Sequence, residues 1–334
     1  MLTTTARWRV LVLAGAFVMG CAFVALFVSP SSLQTSLSGT GQRGGEADVI
    51  SMQALSGSQL NDGWKEHPDL QMLRSYGVVE NIPDEDTLKT YNLKQLSAIY
   101  HSYLDNNDIR CHRKLRMGQV GDCGWEVCDD FEWRPIRPCI IYSFGINYEF
   151  SFDDDAAKIY GCVVYSFDPS MSRQPTYRRS DRVMFYRLGI GGTTQTKRNG
   201  WTLHSLSSFR HMLNHTDKVI DVLKMDVEEA EWSSLINMIQ ERQLDNVRQL
   251  LVEYHMTGDN EKTLRHRLSV IRDVERAGFK KFYVTKNAAC ARPAIGIPIK
   301  RTSCYEVHYV NSKFMRTPVR KKKHVIIMSG AREG

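Results

Sequence analysis

From Arg137 onward the chain repeats one pattern, a short apolar run that ends at a glycine or an acidic residue and gives way to an amphipathic stretch. Cys139 to Phe144 (CIIYSF) ends at Gly145, Cys162 to Phe167 (CVVYSF) at Asp168, and Ile220 to Met225 (IDVLKM) at Asp226. Val183 to Leu188, Gln249 to Tyr254, Lys281 to Thr285 and Cys304 to Val310 add four more runs, while Phe152 to Tyr160, Glu229 to Arg242 and Glu261 to Ala277 read as helices. Short runs rich in β-branched and aromatic residues are buried strands, and strands alternating with helices build a sheet covered on both faces. The expectation is an α/β chain with a Rossmann-like, doubly wound, mostly parallel seven-stranded sheet. Such sheets bind ligands beyond the carboxyl ends of their strands, where the strand order reverses.

Ahead of this body lies Val10 to Val28, nineteen residues without a charge, flanked by Arg7 and Arg9 on the short side. Its length is about that of a hydrocarbon core and exceeds a signal-peptide core, so it reads as an uncleaved signal anchor behind a cytoplasmic tail at 1–9. The positive-inside bias then places the body in the secretory lumen, as a single-pass type II membrane protein of the Golgi; cleavage would release a secreted form. Residues 29–62 are rich in Ser, Gly and Thr and read as a flexible stem. The net charge of +7 resides wholly in Arg7, Arg9 and residues 316–334 of a basic tail that begins at 312. The body between is balanced, which argues against a nucleic-acid partner.

Residues 63–137 read as a helical and cysteine-bearing extension, with one amphipathic helix from Asp84 to Asn106. Cys111, Cys123 and Cys128 occupy a Gly- and Asp-containing loop without a C-x-x-C pair, which favours disulfides over zinc. Cys111 to Cys128 is the expected bridge there, with Cys123 competing. Cys290 and Cys304 flank thirteen residues containing Pro and Gly and are expected to pair, worth about 3 kcal/mol in the chain-entropy model. Cys139 and Cys162 read as small core residues, and the odd number of cysteines beyond Cys21 leaves at least one without a partner in the chain. Asn214 heads a glycosylation sequon, Asn-His-Thr, usable in the lumen.

Gly145 after the first strand and Asp168 after the second, 23 residues on, have the spacing of a loop glycine and a ribose-binding carboxylate. The phosphate-cradling G-x-G-x-x-G is absent, and Glu149 and Asp153 to Asp155 would repel a pyrophosphate. That points to an adenosine ligand without phosphates, such as S-adenosylmethionine. Asp226 and Glu228 stand at the end of the fourth strand, either facing the sulfonium methyl or, in the case of Asp226, capping the following helix. Glu253 and His255 end the fifth strand on one face, and His255 is a candidate base or a structural histidine.

The blocks YSFGINYEFSFDDDAAKIYGCVVYSFDPSM (142–171), NGWTLHSLSSF (199–209), VIDVLKMDVEEAEWSSL (219–235) and LLVEYHM (250–256) resemble the methyltransferase-like protein 24 family, a branch of the FkbM-type methyltransferases. GWEVC (124–128) and CYEVHYVN (304–311) fit as well. The resemblance implies a class I S-adenosylmethionine-dependent methyltransferase domain at 138–311. Gly145, Asn147 and Asp168 would bind cofactor, and Asp226, Glu228 and His255 would carry catalysis, with no metal. The family's fourth-strand signature appears as Lys224, Asp226, Glu228 and Glu231, with Glu229 where Gly is usual; Ser143 and Glu149 are further departures in the first-strand loop. The function expected is methyl transfer to an oxygen or nitrogen of a lumenal acceptor. Two alternatives are a Golgi-type glycosyltransferase, with Asp153 and Asp155 as a metal-binding D-x-D unless they cap a helix, and a non-catalytic lumenal binding protein on the same fold.

Overall fold

The computed structural model describes residues 81–121, 123–258, 260–295 and 300–315. The expected anchor and stem, the start of the expected extension and nearly all of the basic tail lie outside the described residues. Among the described residues no helix is long and apolar enough to cross a membrane.

In chain order the structure has α1 (Glu85–Thr90), α2 (Leu93–Leu104), β1 (Lys114–Met117), β2 (Trp125–Cys128), β3 (Ile140–Phe144), α3 (Ser151–Tyr160), β4 (Val163–Phe167), β5 (Tyr177–Arg178) and β6 (Val183–Tyr186). It continues with α4 (Leu206–Met212), β7 (Ile220–Met225), α5 (Ala230–Gln240), β8 (Val247–His255), α6 (Glu261–Arg276), β9 (Phe279–Lys286) and β10 (Cys304–Asn311). The central sheet has eight strands in the order β9-β10-β8-β7-β3-β4-β6-β5. The seven expected strands are all present, and the two-residue β5 adds an eighth at one edge. β8, β7, β3, β4 and β6 are parallel neighbours, whereas β10 runs antiparallel between β8 and β9.

Every residue of β7 is buried, the property that makes a two-sided parallel strand a continuous apolar run. On one face Phe144, Leu223, Met225 and Val252 pack with Leu206 and Phe209 of α4, Trp232 and Leu235 of α5, and Leu264 and Leu268 of α6. Leu96, Ile99, Tyr100 and Tyr103 of α2 join this core, so the extension shares it. On the other face Ile141, Val164, Val222 and Leu251 pack with α3 and with Trp125 and Val127 of the β1–β2 hairpin. Gln249, fully buried on β8, fixes that hairpin by accepting from the Cys128 amide and donating to the Cys128 and Trp133 carbonyls.

The single helix expected over 84–106 is two. Asn92 leaves helical geometry and forms a capping box in which its side chain accepts from the Gln95 amide and the Gln95 side chain accepts from the Asn92 amide, both at 3.0 Å. Cys111–Cys128 and Cys290–Cys304 are bonded as expected. Cys139 and Cys162 are bonded too, correcting their reading as plain core residues. They precede the parallel neighbours β3 and β4, whose register pairs Ile140 with Val163, so the two Cα atoms stand 4.7 Å apart. Cys123 is also disulfide-bonded, and none of the described cysteines is a free thiol.

His101 of α2 is buried with Nδ1 2.9 Å from the Tyr305 hydroxyl. Burial, and then the nearby Arg301 guanidinium, pull its pKa down to about 3. The unfolded chain takes up this proton near about 6.5. Stability is therefore intact above that value and is lost as pH falls through the window between the two, by about 1.4 kcal/mol per unit. His101→Gln should remove about 2.5 kcal/mol of the loss in unfolding free energy between about pH 6 and pH 4. Equal pH slopes in urea unfolding of the two proteins would contradict this.

Candidate functional site

The strand order reverses between β3 and β7, and the two loops that leave their carboxyl ends meet there. Gly145 has φ +80°, and a Cβ on it would overlap the Asp226 carbonyl oxygen. The glycine is therefore required by the contact of the two loops, where the sequence suggested approach of a ligand. Lys224 clamps the same point: its buried ammonium donates to the Gly145 carbonyl at 2.8 Å and lies 5.4 Å from the centre of the Trp125 ring.

Asp168 is buried, and both of its oxygens are engaged. Oδ2 accepts from the Ile146 and Asn147 amides at 2.9 and 2.7 Å, and Oδ1 from the Ser170 amide and hydroxyl at 2.7 and 2.6 Å. The carboxylate, expected as a ribose ligand, holds the loop after β3 in shape. Asn147 enters through its backbone amide and takes a left-handed conformation, φ +43°. Asp168→Ala should thus lower stability by about 2 to 3 kcal/mol as well as weaken cofactor affinity about tenfold or more, since four hydrogen bonds to a charged group are lost. An affinity loss with unchanged urea unfolding would restore the ribose role.

Across from this loop an acidic cluster surrounds one imidazole. The His255 Nε2 atom lies 3.6 Å from Glu228, 3.7 Å from Glu253 and 3.9 Å from Asp226, and its Nδ1 lies 3.3 Å from Glu231. Glu231, in the first turn of α5, looks like a solvated helix-start acid in sequence but is fully buried and accepts from the His255 amide at 2.8 Å. Trp232 Nε1 donates to the His255 carbonyl, and Asn287 donates to Glu253, both at 3.0 Å. The structure brings Asp226, Glu228 and His255 together as expected and adds Glu231 and Glu253 to them.

Burial disfavours the charged imidazole, but Glu231, Glu253 and Asp226 outweigh it and raise the His255 pKa. The carboxylates around it thus favour the charged ring over the neutral proton acceptor that the sequence offered. Burial first, and then Asp226, push the Glu253 carboxyl up. The Glu228 carboxyl is raised as well, by burial with His255 opposing and Asp226 adding. Asp226, Glu253 and His255 each offer a ligand atom within 4.8 Å of the others, so this trio could hold a metal ion, where the sequence gave none. The other groups of possible ligands contain the bonded cysteines Cys111, Cys128, Cys290 and Cys304.

Asp226 does not cap α5. The cap position belongs to Glu229, φ +75°, which forms no side-chain cap bond, and Glu228 before it is also left-handed, φ +49°. Two successive non-glycine residues in this region carry strain of about 1 to 3 kcal/mol each, a cost commonly seen at functional loops. The glycine usual at position 229 is explained by its φ. Here Glu229 is held there instead by Arg267, at 2.8 and 3.0 Å, and by the Thr257 amide at 2.9 Å. The sequence left Arg267 unremarked because a buried arginine inside an amphipathic helix carries no local signal.

Asp153 to Asp155 lie within α3 and are not at the site. Asp153 is buried and accepts from the Ser166 hydroxyl, Asp154 pairs with Arg179 at 2.7 Å, and Asp155 accepts from the Gly118 amide at 2.9 Å. They neither cap α3, whose cap residue is Phe150, nor leave carboxylates for a sugar-nucleotide metal. Glu149 turns away from the cleft to Gln119 and the Ser151 amide. A cleft of about 210 Å³ opens beside Glu228, lined also by Gly191, Gly192, Lys197, Ala230 and Ser233.

A family model described as a methyltransferase domain matches residues 61–310, three quarters of the chain. The protein belongs to that methyltransferase family. Its match takes in the extension with the sheet, in keeping with their common core. The Rattus norvegicus protein named "Probable methyltransferase-like protein 24" is 27% identical over 248 residues, 67% of each chain. The Homo sapiens protein of the same name is 26% identical over 237 residues, 64% of this chain and 63% of its own. The resemblance drawn from the sequence blocks is thereby borne out, and the chain spans about two thirds of the relatives' length.

Proposed function

We propose that this methyltransferase moves a methyl group from S-adenosylmethionine to an oxygen or nitrogen of an acceptor in the secretory lumen. The observation that carries the reading is the cluster of Asp226, Glu228, Glu231 and Glu253 around His255, at the carboxyl ends of β7 and β8 beside the Gly145 loop. Four carboxylates against one imidazolium suit a cationic sulfonium and would repel a pyrophosphate, so the donor set fits this cofactor. The carbonyls of the 145–147 loop and the Asn147 side chain, on a loop braced by Asp168 and Lys224, would hold it beside Asp226. When bound it supplies an electrophilic methyl group.

The chain's own contribution is orientation and proton removal. Asp226 and Glu228 are the more exposed members of the cluster, and Glu228 lines the cleft where an acceptor would enter. A carboxylate of raised pKa is a better base at neutral pH than an ordinary one, which suits Glu228 to take the acceptor proton. His255, paired through Nδ1 with Glu231 at 3.3 Å, places its ring between the carboxylates. Lumenal placement is supported by the three bonded cysteine pairs, a pattern of oxidising compartments. Calorimetric titration of the full-length protein tests the reading: S-adenosylmethionine should bind with a dissociation constant of about 1 to 100 μM, on the scale of ordinary cofactor sites, and UDP-sugars with Mn²⁺ should not. Binding of a UDP-sugar alone would replace methyl transfer by glycosyl transfer.

A further inference from the structure

The acidic cluster has a feature that methyl-donor binding does not use. The His255 side chain is nine-tenths buried, and among the described residues neither ring nitrogen makes a hydrogen bond. Nε2 points into the space between Asp226, Glu228 and Glu253, whose oxygens stand at 3.9, 3.6 and 3.7 Å. Those distances are too long for hydrogen bonds. They are the separations of neighbouring ligands around one shared ion, because metal–ligand bonds of about 2.0 to 2.2 Å place such atoms roughly 3 to 4 Å apart. The nearby cation Arg267 is engaged by Glu229 and offers the cluster nothing at its centre.

We propose that Asp226, Glu253 and His255 form a divalent-cation site, with Glu228 as a fourth ligand from the cleft side. Three carboxylate oxygens and one imidazole nitrogen select a first-row ion of borderline character, Mn²⁺ or Zn²⁺, over the all-oxygen preference of Ca²⁺. Ligation uses the neutral ring, so the ion replaces the imidazolium proton. Glu231 supplies the outer support on Nδ1, 3.3 Å away, as a carboxylate commonly does behind a ligating histidine. Two ligands are rigid, since Glu253 and His255 project from one buried strand, and Asp226 comes from its parallel neighbour. Open coordination positions would face the cleft lined by Gly192, Lys197 and Ser233, where an acceptor hydroxyl could bind the ion and ionise more readily.

The site does not depend on the methyl-transfer reading and is tested without methyl donor. Full-length protein stripped with chelator is titrated with Mn²⁺ and the free-ion signal followed by electron paramagnetic resonance. One ion per chain should bind with a dissociation constant of about 10 μM or tighter, in the range of carboxylate-rich protein sites. Electron spin-echo spectra should show coupling to one imidazole nitrogen. Asp226→Asn and Glu253→Gln should each weaken binding at least tenfold, and His255→Gln should remove the nitrogen coupling, with melting temperatures reporting that each variant is folded. Asp226→Asn is the decisive variant because its side chain is partly exposed and does not brace the core. Absence of stoichiometric binding below about 1 mM in the wild type, or binding unchanged in folded Asp226→Asn protein, would overturn the proposal. Either result leaves the calorimetry with S-adenosylmethionine to stand or fall by itself.

Discussion

Asp226→Asn should fold and melt like the wild type yet release S-adenosylhomocysteine, with transfer of the methyl group to acceptor or water, about 10² to 10⁴ times more slowly, the range for loss of a group that orients or assists proton transfer. The sequence allowed a second account in which Asp226 caps the helix after β7, and in that account asparagine would serve nearly as well. Helix α5 begins at Ala230, its cap residue is Glu229, and no side chain caps it, so the capping account has no geometry behind it. Asp226 is tied into the structure by its backbone, whose amide donates to the Phe144 carbonyl at 3.1 Å. Its carboxylate points toward His255. Normal turnover in a variant of unchanged melting temperature would return Asp226 to a structural role.

Gly145→Ala should cost about 3 kcal/mol or more of stability in ligand-free protein, about 5 °C in melting temperature for a chain of this size. Two penalties add. The residue sits at φ +80°, where a side chain is strained, and its Cβ would overlap the Asp226 carbonyl oxygen, which belongs to backbone and cannot rotate away. Had the glycine been needed only for the approach of a ligand, the same change would spare stability and reduce affinity. Urea unfolding separates the two, and a variant within about 0.5 kcal/mol of the wild type would contradict the loop contact described here.

The sheet was legible in the sequence because a strand buried on both faces must be apolar throughout, and β3, β4, β7 and β8 are written that way. Asp226, Glu228 and His255 were legible for a related reason: in a parallel sheet the residues after the strands cluster by topology alone. What escaped the reading depends on which residues are neighbours across the fold. The bond between Cys139 and Cys162 needs the register of β3 against β4. The role of Asp168 depends on whether its oxygens face the amides of Ile146 and Asn147 or a ligand, and one carboxylate in a sequence does not encode that. Glu231 has the pattern of an exposed first-turn acid, and only the packing of Trp232 and the backbone of His255 around it shows that it is buried. The break at Asn92 was within reach, since Asn-x-x-Gln is a capping box, but the apolar spacing that runs through it argued for one continuous helix.

The most direct test of methyl transfer at the acidic cluster is label transfer. Full-length wild-type and Asp226→Asn proteins are each incubated with S-adenosylmethionine carrying a tritiated methyl group and with an extract of the secretory lumen. The wild type should move label into an acceptor fraction in amounts that grow with time, and Asp226→Asn should move less than about one hundredth as much. Label that stays on the donor with the wild type, or moves equally with both proteins, would contradict the account.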